Sequence, residues 1–155
     1  MQNLETDSEV LEFAIAREVD AYNLFTILAE RVSNETSRNI LRELAQEELK
    51  HKERLEFELI RTGYVVQGHG TPPKPESDSL IVSESDYIAA MSLAEVMRWA
   101  ARKERFSYRL YVDLAAMAKD PDSRDTLIDL AAEEVKHQDR FEKEYDDLMK
   151  SKDGM

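Results

Sequence analysis

Two stretches decide the fold: LAQEELKHKERL (residues 44–55) and LAAEEVKHQDRF (residues 130–141). In the first, Leu41, Leu44, Glu48, His51, Leu55 and Leu59 recur at the three- and four-residue spacing that places side chains on one face of a helix. In the second, Leu127, Leu130, Glu134, His137, Phe141, Tyr145 and Leu148 do the same. The two stretches are copies. A shift of 86 residues lays 123–144 on 37–58 without a gap and leaves twelve of 22 positions identical.

The same shift extends outward. Residues 11–32 against 97–118 share Ala14, Glu18, Tyr22, Leu24, Leu28 and Ala29 with their counterparts. The first stripe is Leu11, Ile15, Glu18, Tyr22, Phe25, Ala29 and Val32; the third is Met97, Ala101, Glu104, Tyr108, Tyr111, Ala115 and Ala118. The spacing predicts four helices over about 8–32, 35–62, 92–119 and 121–149. Ser33 or Asn34 can cap the second helix, Gly63 can stop it, and Ser92 with Glu95 forms a capping box for the third. Asp120-Pro121 is a cap followed by proline at the first helical position. Residues 84–91 add a short helical lead-in.

Short links join the first two helices and the last two, so each pair reads as an antiparallel hairpin. Glycine and proline gather in the long middle connection, 63–91, where three of the four of each type lie within 63–75. A 25-residue helix is about 38 Å long, a span that about 12 extended residues cover. The connection can therefore cross the whole bundle. A lone two-helix hairpin buries too little to be stable, so the two hairpins are expected to pack together. The chain reads as a single all-α domain over 1–155, a four-helix bundle of two duplicated hairpins with one long crossover.

Charged residues interrupt the apolar stripes at matching places. Glu18 and Glu104 break the first and third; Glu48 with His51, and Glu134 with His137, break the second and fourth. Residues three apart on a helix share a face, so each Glu-x-x-His aims a carboxylate and an imidazole the same way. Each Glu-x-x-His also follows its in-stripe Glu by thirty residues. Buried charges cost several kcal/mol each even after relaxation, and clustered carboxylates repel. Two divalent cations would cancel four carboxylates and give each imidazole a partner. Oxygen-rich sites with a little nitrogen suit iron or manganese, and a Glu from each of two helices plus Glu-x-x-His from each of two others is a dinuclear carboxylate pattern.

Composition narrows the alternatives. Asp and Glu number 33 against 21 Lys and Arg, a formal charge of −12 that disfavours a nucleic-acid surface. The absence of cysteine excludes disulfides, thiolate metal sites and thiol catalysis. No apolar run approaches the roughly 18–20 residues of a membrane span, and the polar N-terminus MQNLETDSEV lacks the order of a secretory signal. A cytoplasmic protein is the expectation.

At these residues a resemblance emerges. The segments AREVDAYNLF (16–25), LAQEELKHKERL, ARKERFSYRLY (101–111) and LAAEEVKHQDRF are similar to the metal-binding helices of rubrerythrin-type members of the ferritin-like di-iron superfamily. The resemblance implies a ferritin-like bundle. It also implies Glu18 and Glu104 as terminal carboxylates, Glu48 and Glu134 as bridges, and His51 and His137 each on one metal. Two departures matter. The best-known rubrerythrins carry a rubredoxin-like domain with four cysteines, absent here, so electrons would come from an external donor. They also have an extra Glu one turn beyond the third-helix ligand, where this chain has Ser107, so the redox-linked metal shift tied to that Glu is not implied. The remaining set is the symmetric one of bacterioferritin-like centres. A storage cage usually adds a short fifth helix, for which the residues after His137 leave little room.

Lesser residues complete the reading. Tyr22 and Tyr108 lie one turn beyond Glu18 and Glu104, where a hydroxyl could support a ligand carboxylate or simply be satisfied in the core. Glu47 and Glu133 are expected at the surface or behind the ligands, holding an Arg or Lys. Trp99 is expected to pack, Lys50 and Lys136 to face solvent, and His69 to have no role. The expected activity is a non-haem di-iron oxidoreductase, with two iron ions as cofactor (manganese fitting the same ligands), that reduces hydrogen peroxide or dioxygen. The alternatives are a ferroxidase, for which Fe(II) is the substrate, and a metal-free acidic interaction module. A monomer, a homodimer and a helix-swapped dimer all accommodate the pattern.

Overall fold

Three of the helices begin at residues whose side chains stand in for the missing helical acceptor. Thr6, Asn34 and Ser92 are in extended backbone and accept from the N–H groups of Glu9 (3.2 Å), Ser37 (2.9 Å) and Glu95 (3.3 Å). Glu95 returns the contact by accepting from the Ser92 N–H at 3.2 Å, which completes the capping box. The fourth helix starts at Pro121, with Asp120 accepting from the Ser123 N–H at 3.2 Å. The computed structural model describes residues 4–64 and 90–153. It contains α1 (Asp7–Arg31), α2 (Glu35–Arg61), α3 (Leu93–Met117) and α4 (Pro121–Asp153), and no strand among the described residues.

These bounds differ from the expected ones by a residue or two, except that α4 runs on to Asp153 rather than ending near 149. At the end of α2, Gly63 takes φ +97°, and the Tyr64 N–H reaches back to the Leu59 carbonyl at 3.2 Å. That left-handed turn is open to glycine at no steric cost. The course of the crossover and His69 lie outside the described residues, as does most of the 84–91 lead-in; Ala90 and Met91 are not helical.

The two interhelical turns are fastened by duplicated arginines. Arg38 donates to the carbonyls of Ala29 (3.2 Å) and Val32 (3.1 Å), and its counterpart Arg124 donates to Ala118 at 2.8 Å. Both satisfy carbonyls that the helix C-terminus leaves without a partner. Asp7, at the start of α1, accepts from the backbone N–H groups of Lys119 (2.7 Å) and Asp120 (2.8 Å), which ties the first hairpin to the second turn.

Within each hairpin the helices pack along their length, α1 on α2 and α3 on α4; across the bundle α1 meets α3 and α2 meets both α3 and α4. The result is a ferritin-like four-helix bundle with two apolar clusters. One gathers Phe25, Leu28, Leu41, Leu44, Val96, Met97, Trp99 and Phe141; the other gathers Leu11, Leu55, Leu59, Tyr111, Leu114, Leu127 and Leu130. Under the 86-residue shift, Leu28, Leu41 and Leu44 of the first become Leu114, Leu127 and Leu130 of the second. Conversely, Leu11 and Leu55 become Met97 and Phe141. The internal repeat is thus a pseudo-two-fold relation, with the charged layer between its two apolar ends. No described helix is long and apolar enough to cross a membrane.

Candidate metal centre

Each helix delivers one carboxylate to the level between the clusters because the stripe that buries its leucines also buries its glutamate. Glu18, Glu48, Glu104 and Glu134 are all buried, as is His51. They assemble into two groups, Glu18/Glu48/His51 and Glu104/Glu134/His137, each with ligand atoms within 4.8 Å of one another. The two imidazoles lie nearly parallel, with ring centroids 6.4 Å apart. Glu134 links the groups: its Oε1 lies 3.0 Å from His51 Nδ1 without hydrogen-bond alignment. All six residues expected from the sequence therefore meet in one place.

The electrostatics of this layer are unresolved by the side chains alone. Burial, followed by the charge of Glu48, pushes the Glu18 carboxyl well above the ordinary carboxylate range. Burial, and next to it the neighbouring Glu104 carboxyl, do the same for Glu134. Burial pushes Glu48 up, but the neighbouring Glu18 and His51 outweigh it and Glu48 moves down. His51 moves up despite burial, through Glu133, Glu134 and Glu48, and His137 moves up chiefly through Glu104. These opposed shifts express like charges that cannot all ionise together.

The donor set fits a pair of divalent cations. Both histidine Nδ1 atoms, Glu18 Oε2, Glu104 Oε2 and both oxygens of Glu134 are buried without a hydrogen-bond partner. Such orphaned atoms are rare in proteins, each costing about 1–3 kcal/mol or more. Here they converge, all are ligand types for iron and manganese, and metal coordination would satisfy all of them.

Comparison with known proteins agrees with this geometry. The rubrerythrin family profile matches residues 9–145, a span that reaches into all four helices and includes all six residues. The chain belongs to the rubrerythrin family. Its two Glu/His groups are compatible with the di-iron site of this ferritin-like domain. The fold is similar to that of a hypothetical protein from Pyrococcus furiosus, at TM-score 0.62 and 23% identity, over 94% of this chain and 91% of that one. No curated protein matches the chain significantly.

Residues behind the ligands were harder to place from sequence. Tyr108 is 36% exposed, Tyr22 packs at the edge of the Phe25 cluster, and among the described residues neither hydroxyl reaches a carboxylate of the site. Helical rotation separates a residue four positions on from the ligand's own line, and here it turns Tyr108 outward. The phenol that does reach the site is buried Tyr111, whose hydroxyl donates to Glu18 Oε1. It stands on the same stripe two turns beyond Glu104, opposite a carboxylate from another helix. Glu133 is closer to the site than a surface residue. It accepts from His51 Nε2 at 2.9 Å and from Arg54 at 3.1 Å, while its counterpart Glu47 lies 3.9 Å from His137 Nε2 and pairs with Lys50. Each carboxylate thus backs the histidine of the other hairpin. Trp99 packs edge-on against Phe25 at 5.8 Å, and Lys50 and Lys136 are exposed.

Proposed function

We propose that the protein is a non-haem di-iron oxidoreductase that reduces hydrogen peroxide or dioxygen while cycling between Fe(II) and Fe(III). The observation that carries the reading is the convergence of unpartnered buried donors from four helices at duplicated positions. Glu18 and His51 would hold one metal and Glu104 and His137 the other. Glu48 and Glu134 would be shared, a role to which Glu134's approach to His51 lends support. The same ligands accept manganese. Two ferrous ions would supply the two electrons that reduce one peroxide to two waters, with two protons taken up.

The chain's own groups do the remaining work. The apolar clusters close the two ends of the layer to bulk water. Glu133 orients His51 through Nε2 and so leaves Nδ1 facing the carboxylates. Tyr111 holds a proton against Glu18 inside the site. An external donor would return the electrons, in a cytoplasmic setting. Ferroxidase activity is the second reading, favoured by the 20% exposure of His137, which gives Fe(II) a solvent-facing approach.

Anaerobic loading with Fe(II), followed by rapid mixing with peroxide or oxygen, tests the proposal. About two iron per chain and faster oxidation by peroxide support a peroxidase. Repeated turnover of excess Fe(II) with oxygen supports a ferroxidase instead. No iron retained after loading removes the metal reading and leaves an acidic interaction module. Sedimentation of the loaded protein would distinguish monomer from homodimer, swapped or not.

A further inference from the structure

The duplication relates the two halves of the site position by position, and a first difference is one hydroxyl. Tyr111 and Phe25 are counterparts under the 86-residue shift. Both are buried aromatic residues, but Tyr111 donates to Glu18 whereas Phe25 packs on Trp99 and has nothing to donate. Among the described residues no side chain outside the six donates to Glu104, and its Oε2 is unpartnered.

The histidines differ in the same sense. His51 Nε2 is held by Glu133 at 2.9 Å, and Glu133 is itself anchored by Arg54. His137 Nε2 is 3.9 Å from Glu47, and Arg140, the counterpart of Arg54, has turned to Glu43 at 2.6 Å instead. His51 is 1% exposed and His137 is 20% exposed. These differences make the Glu18/Glu48/His51 position the more fixed and more enclosed.

We propose that the two metal positions are unequal by construction. Tyr111 is a positioning residue for Glu18, and the Glu18/Glu48/His51 position holds a divalent ion more tightly than the exchangeable Glu104/Glu134/His137 position. This rests on the reading of the six residues as a two-metal site. A ligand already held in place loses less freedom when the ion arrives, and removing an outer partner of a metal ligand typically costs about 10–100-fold in affinity.

Calorimetric titration of the full chain with Co(II), followed in parallel by visible absorption, tests the inference. Two steps separated by about tenfold or more are expected. Tyr111→Phe should weaken the tighter step by about tenfold and leave the weaker one in place. Phe25→Tyr should strengthen the weaker step and narrow the gap from the other side. A purely structural role for Tyr111 would instead lower both steps and the melting temperature together. Two equivalent sites in the parent protein, or a Tyr111→Phe titration identical to it, overturn the proposal. Absence of any Co(II) uptake overturns the two-metal reading itself.

Discussion

The apolar clusters and the charged layer between them are built on the same four stripes, yet they stand in opposite relation to stability. Leu28, Leu41, Leu114 and Leu127 are wholly buried among apolar neighbours and need nothing further. Two to three turns along the same faces, Glu18, Glu104 and Glu134 are also buried and leave oxygens without partners. Removing ionised groups from water costs several kcal/mol each unless their attraction to a partner is well formed. The helices therefore fold on their ends and carry a strained middle, and that middle makes physical sense as a binding layer for cations.

Truncation in the clusters should give the largest stability effect. Leu41→Ala or its counterpart Leu127→Ala is expected to cost about 2–5 kcal/mol in denaturant unfolding, since each empties a fully packed position. The folded fraction should still take up two metals. Replacing Glu134 by Leu should do the reverse. Metal uptake should be lost, while the chelator-treated protein gains about 1–4 kcal/mol as a buried carboxylate gives way to an apolar side chain. A Glu134→Leu protein less stable than the chelated parent would break the contrast between the two regions.

Much of this arrangement is legible in the sequence for a physical reason. A glutamate at an apolar stripe position has to be buried if the stripe is, and the repeated thirty-residue interval between Glu18 and Glu48, and Glu104 and Glu134, places two such groups at one level. What surrounds them depends on rotation and on the other hairpin, which spacing along one helix does not report. Tyr108 lies closer than Tyr111 to Glu104 in sequence, but the phenol that matters serves Glu18 on α1. Likewise Glu133 adjoins Glu134 in the chain and acts on His51 of α2. Comparing the copies for a lone polar difference at a buried aromatic position would have singled out Tyr111 against Phe25.

The charged layer should also reveal itself through pH. Glu18 and Glu134, ordinarily near 4.5, are raised by burial first and by neighbouring carboxylates second. The folded chain then keeps protons that the unfolded chain has released. That stabilising contribution is complete below about 4.5 and drains away as pH rises through the raised values. His51, raised from 6.5, adds to the loss above that value. Each proton held only by the folded state changes stability by about 1.4 kcal/mol per pH unit. Urea unfolding of the chelated protein should therefore show stability falling from weakly acidic to weakly alkaline pH. Metal-loaded protein should resist that fall, because the ions take the place of the protons. Chelated stability that rises across the same range would show that the layer is not held by shared protons.

The smallest effect expected separates the two arginines that the duplication made alike. The Arg54 and Arg140 side chains are 39% and 42% exposed, so water and salt screen their ion pairs, and either Ala substitution should cost within about 1 kcal/mol of stability. Their contributions to the site should nonetheless differ. Arg54 anchors Glu133, which fixes His51, so Arg54→Ala frees that carboxylate and should lower affinity for the first Co(II) several-fold. Arg140 pairs with Glu43 and Glu144, neither of which touches a candidate ligand among the described residues, so Arg140→Ala should leave the titration unchanged. Equal losses of Co(II) affinity in the two variants would mean that surface charge near the site acts diffusely. A loss confined to Arg54→Ala would trace it through one hydrogen-bonded chain to a single histidine.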